Sequence, residues 1–80
     1  MKTTEVSKDL IGKRCECIFT GMMVTGVIED TEENEYSVNV KVRFGHSHQW
    51  GDDFYTEDWA WGRKSDEFGT LHRLRLLPDP

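Results

Sequence analysis

The chain has 80 residues, and 15 acidic against 10 basic side chains leave a formal charge of −5. A chain of this length makes one domain with one small core, which excludes a sizeable buried active site. The acidic balance argues against affinity built on neutralising phosphates, because that mode needs a net basic surface.

Residues 1–9 are polar and aperiodic, and residues 1–11 read as a flexible lead-in with one helical turn over residues 7–10. They hold no apolar run of secretory-signal length, and no segment nears the roughly 20 apolar residues of a membrane span. Over residues 13–19, Cys15, Cys17 and Phe19 share one face and Arg14 and Glu16 the other, which is a strand with an apolar inner side. The single-residue spacing of the two cysteines points to a reduced compartment rather than a disulfide framework, so the expected location is cytoplasmic. Thr20-Gly21 supplies a turn.

A second strand follows over residues 23–30, with Val24, Gly26 and Ile28 on one face. Gly26 lies inside it, where a missing side chain permits a bend or the close approach of another backbone. Residues 31–35 form an acidic connection in which Asn34 is best able to take a positive φ. Tyr36-Ser-Val-Asn-Val-Lys-Val-Arg-Phe44 then alternates apolar and polar residues without a break, the pattern of a half-buried strand. It sends Tyr36, Val38, Val40, Val42 and Phe44 inward. The pattern breaks over residues 45–58, which read as one long loop of a length that implies function or a short element of its own. Trp59, Trp61 and Arg63 open a fourth strand, residues 65–69 make a turn, and residues 70–77 form a fifth with Leu74 and Leu76 inward. Pro78 stops it.

Gly12-Lys-Arg-Cys15, Gly26-Val-Ile28, the strand ending at Phe44 and Leu71-His-Arg-Leu-Arg-Leu76 together resemble the SH3-like small β-barrel in their order of elements. The expected fold is therefore an all-β, five-stranded SH3-like barrel over residues 12–78, with one long loop between strands 3 and 4. Small bacterial and plastid barrels with such a third strand tend to be docking subunits, so the resemblance implies binding rather than catalysis. Trp59-Ala-Trp61-Gly-Arg63 and Phe68-Gly69 are also similar to the tryptophan-bearing region of signalling SH3 domains. The segments that complete a proline-peptide groove in those domains are missing here.

Cys15-x-Cys17 and His46-x-His48 could supply four zinc ligands, but a Cys-x-Cys on a flat strand separates its sulfurs and aims them into the core. Two buried thiols and two loop histidines are the favoured reading, with no metal and no cofactor. Buried in this way, Cys15 is no nucleophile. The acidic pairs Asp52-Asp53 and Glu57-Asp58 read as solvated surface, since they lack the ligand spacing of a calcium loop.

The aromatic excess carries more. Trp50, Phe54, Tyr55, Trp59 and Trp61 fall within twelve positions and cannot all fit so small an interior. Trp59 and Trp61 either cap the barrel or join a binding surface with the other three, and flanking acids suit a partner presenting Lys or Arg. The expected function is a non-enzymatic docking module for a protein partner, acting as a monomer or weak dimer away from membranes. The alternative is nucleic-acid binding, in which outward Lys41, Arg43, Arg63, Lys64, Arg73 and Arg75 follow a backbone while aromatics stack on bases.

Overall fold

Alternation decides the architecture. In the computed structural model, which describes residues 1–65 and 69–78, every long run of alternating residues is a strand with one buried face. Strand β1 covers Arg14–Phe19, β2 Met22–Glu33, β3 Ser37–Trp50, β4 Asp53–Arg63 and β5 Arg75–Leu76. All neighbours pair antiparallel in one five-stranded sheet of order β4-β3-β2-β1-β5. Among the described residues no ladder joins β4 to β5, so the sheet is not closed into a barrel. There is no α-helix among them either, only 3-10 turns at Thr3–Glu5, Lys8–Leu10 and Leu71–Arg73; no helix is long and apolar enough to cross a membrane.

The core lies on one side of this sheet. Cys15, Cys17, Phe19, Val24, Ile28, Val38, Val40, Val42, Phe44, Ala60 and Leu74 are buried there, joined by Leu10 and Leu71 from the 3-10 turns. Each fully buried valine contributes roughly 2 kcal/mol of transfer free energy. A single sheet covers its own apolar face only by curling, and two irregularities give it the bend: an extra residue, Glu29, in β2, and a larger insertion in β3. Gly26 sits where β2 meets Phe44 at the bend, and a Cβ there would lie 2.2 Å from the Arg43 carbonyl oxygen. The close backbone approach expected of that glycine is present.

The segment expected as a lead-in carries two of the 3-10 turns. Ser7 caps the second by accepting from the Asp9 amide, and the Met1 amino group donates to the Leu71 and Leu74 carbonyls at 3.0 and 2.7 Å.

Several boundaries differ from expectation. The long loop over residues 45–58 is not a loop: β3 runs on to Trp50, the chain turns at Gly51-Asp52, and β4 begins at Asp53. Glycines, histidines and aspartates gave this stretch a loop's composition, but residues 48–50 pair across a ladder with residues 53–55. Tyr36 is outside the core, 75% exposed. Asn34 takes no positive φ; its Oδ1 accepts from the Tyr36 and Ser37 amides and turns the chain just before β3, which leaves Tyr36 in the turn. The fifth strand shrinks to two residues because Leu71–Arg73 winds into a 3-10 turn, so Leu74 is buried while Leu76, expected inward, is exposed. The turn expected over residues 65–69 lies in part outside the described residues.

Candidate functional site

The β3–β4 hairpin has two halves. From Ser37↔Arg63 to Arg43↔Glu57 it is a regular ladder over the core. Beyond that the register jumps, with Phe44 to Ser47 opposite Thr56 alone, and it resumes as His48↔Tyr55, Gln49↔Phe54 and Trp50↔Asp53. Three extra residues in one strand shift its side-chain phase against the other and bend the hairpin. The distal half is an arm.

The arm rests on the turn between β1 and β2. Phe19 packs tilted against Phe44 at 5.0 Å between ring centroids, and edge to face with His48 at 5.1 Å and Tyr55 at 5.3 Å. In that turn Thr20 is the one non-glycine residue with positive φ among those described, at 52°. Its hydroxyl donates to the Phe19 carbonyl at 2.7 Å. With that proton committed, the same oxygen accepts from His48 Nε2 at 3.2 Å, which puts the ring proton on Nε2. His48 is thereby buried at the joint, while His46 is exposed.

Cross-strand pairing puts Trp50 on the same arm face as His48 and Tyr55, and Phe54 with Gln49 on the other. Both tip rings meet solvent, Trp50 at 57% exposure and Phe54 at 68%; Tyr55, leaning on Phe19, is at 36%. Asp52 and Asp53 flank the tip. Trp59 and Trp61 are elsewhere, on the outer face of the main sheet. Trp59 has the Lys41 ammonium 5.9 Å from its ring centroid, and Trp61 packs under Gly69. The five aromatics therefore form two groups rather than one surface. Sequence reasoning passed over exposed Met22 and Met23, which follow the Thr20-Gly21 turn, and exposed Tyr36, which borders an open cleft with Trp61 and Lys64.

Register puts Lys41, Arg43, Arg63 and Arg75 on the outer face. Most of their charge is answered there: Lys41 pairs with Glu57 at 3.3 Å, Arg43 with Glu29 at 2.8 Å, Lys64 with Glu33 at 2.7 Å, and Arg75 with Glu16. The hydrogen bond from Arg43 holds the Glu29 carboxyl below the usual range, and Lys8 does the same for Asp30. Arg73 is exposed, with Nε 3.3 Å from the His72 ring.

Cys15 and Cys17 are free and buried. Burial pushes the Cys15 thiol up to about 12 and the Cys17 thiol up to about 11, with Cys17 and Glu16 adding to the first and Asp58 to the second. Both are neutral thiols at physiological pH, unsuited to attack or to metal binding without deprotonation. Among the described residues no three His, Cys, Asp or Glu side chains are grouped so as to hold a metal ion.

A family model described as a domain of unknown function (DUF7258) matches residues 1–76. No curated protein and no solved structure matches the chain.

Proposed function

We propose that this chain, which belongs to the DUF7258 family of domains of unknown function, is a non-catalytic docking module that captures a protein partner on its β3–β4 arm. The exposure of Trp50 and Phe54 carries the reading. Two large rings held in water at the tip of a two-stranded projection contribute nothing to the core, and such rings dominate the energetic centres of protein interfaces. Asp52 and Asp53 beside them suit a partner presenting Lys or Arg.

The reading includes an SH3-like plan, for which the support is β1 lying between β2 and β5 in one bent antiparallel sheet around one core. It also includes the cytoplasm, where two buried free thiols stay reduced. Nucleic acid is the weaker reading, because Lys41, Arg43, Lys64 and Arg75 each already face a carboxylate.

Joint replacement Trp50→Ala and Phe54→Ala tests it. Capture of a partner from lysate of the source cells should be abolished while the thermal midpoint moves by less than about 4 °C. Retained capture, or a loss of stability above ~2 kcal/mol, would return these rings to a structural role.

A further inference from the structure

Strand β4 is one edge of the sheet, and its backbone can be followed group by group. The Lys64 amide donates inward to the Tyr36 carbonyl, in line with the β3 ladder. The Trp61 amide points the other way, donating to Thr70 Oγ1 at 3.1 Å. The Trp61 carbonyl points outward too, since a Cβ on Gly69 would lie 2.5 Å from it. In an antiparallel ladder, direction alternates with every residue. Over the regular register that runs to Glu57, the amides and carbonyls of Trp59 and Glu57 therefore face outward as well. The segment at Gly69 and Thr70 covers the edge at Trp61. Among the described residues no hydrogen bond covers it at Trp59 or Glu57.

Across the ladder from Trp59 and Glu57 stand Lys41 and Arg43, already paired with Glu57 and Glu29, and from there toward the arm β4 is acidic. Residues 52–58 hold four acids and no base. Of these only Glu57 has an ion-pair partner; Asp52, Asp53 and Asp58 have none among the described residues. An unprotected edge is a template for another strand.

We propose that an extended, Lys- or Arg-bearing segment of a partner protein adds to the β4 edge as a sixth strand, hydrogen-bonding to the outward groups of Glu57 and Trp59. Its cations meet Asp52 and Asp53 toward the arm. A second copy of this chain is disfavoured as the occupant. It carries the same charge of −5, and edge pairing centred on Glu57 to Trp59 would put Asp58 opposite Asp58.

The inference rests on the docking reading above and can fail separately from it. The probe is a synthetic eight-residue peptide of alternating Lys and Val, with a Glu–Val peptide and an N-methylated Lys–Val peptide as controls, followed by amide hydrogen exchange and a binding titration. The Lys–Val peptide at millimolar concentration should slow exchange at Glu57 and Trp59 at least ~10-fold, while neither control does. Glu57→Gln, which removes the carboxylate paired with Lys41 and keeps the amide, should weaken binding about 3-fold, and Glu57→Pro, which removes the outward amide as well as that carboxylate, should weaken it more than ~10-fold with the fold intact by circular dichroism. No binding, binding that leaves both amides unprotected, or equal binding of the N-methylated peptide would overturn the inference. So would a dimer, seen by sedimentation, that protects both amides without peptide. Lysate capture that depends on Trp50 and Phe54 while the peptide leaves the edge unprotected would keep the docking reading and sink this one. Edge protection unaffected by Trp50→Ala with Phe54→Ala, in a protein whose lysate capture also survives those changes, would keep the strand addition and sink the arm.

Discussion

The two halves of the β3–β4 hairpin are built from the same pair of strands and held by different forces. In the near half, Val38, Val40 and Val42 alternate into a core where each is at most 1% exposed, and the ladder is regular. In the far half, backbone pairing continues but the apolar anchor narrows to His48 and Tyr55 on Phe19. Burial fixes the first half; an edge-to-face aromatic joint and one hydroxyl fix the second. A pairing pattern alone thus says little about which part of a hairpin supports the fold and which part it presents to solvent.

Two glycines break this comparison most sharply. Gly26→Ala places a Cβ against the Arg43 carbonyl, which is fixed in the backbone at the bend of the core sheet, and against a buried Val42 methyl, so it should cost about 3 kcal/mol or more in chemical denaturation. Gly45→Ala, in the insertion where the arm begins, finds its nearest atom 3.9 Å away and has no positive φ to oppose it. It should change stability by less than ~1 kcal/mol. Equal costs would mean that body and arm are one cooperative core.

The near half was legible in the sequence because a half-buried strand writes its burial directly into alternation. The far half was not, because its residues are chosen for a bend and an exposed tip. Gly45, the two histidines and Asp52-Asp53 have the composition of a loop, and strand character there comes from a ladder that no single strand records. The three-residue insertion in β3 also shifts the phase of β4 against it, from Ala60 on the core face to Tyr55 at the joint, so no continuous period runs through β4. Tyr36 misled for a related reason. It continues the alternation, but the Asn34 side chain holds it in the turn. The aromatic excess was visible from residue counts, whereas its division into a tip group and an outer-face group depends on which residues pair across the strands.

Alkaline pH separates the halves next, because both perturbed thiols belong to the body. A thiol whose pKa is raised by folding stabilises the folded state fully below its ordinary value of 9.0, and that contribution is lost as pH rises toward about 11 for Cys17 and about 12 for Cys15. Global stability should therefore fall between about pH 9 and 11. A variant carrying Cys15→Ala and Cys17→Ala should start less stable but show a flatter alkaline limb. If both proteins lose stability in parallel, another group governs that range.

The smallest effect sits at the joint. Thr20 is β-branched and left-handed, a conformation that costs roughly 1–2 kcal/mol for such a residue. Its hydroxyl offsets this by bridging the Phe19 carbonyl and His48. Thr20→Gly relieves the backbone and removes the bridge, so global stability should move by less than ~1 kcal/mol while exchange of the ladder amides of His48 and Tyr55 accelerates. Thr20→Ser keeps the hydroxyl and should leave arm exchange as in the parent. The two substitutions thus separate strain from tethering: equal arm exchange in both would show that ring packing on Phe19 holds the arm without the hydroxyl, and a large global loss in Thr20→Gly would place the joint inside the core's cooperative unit.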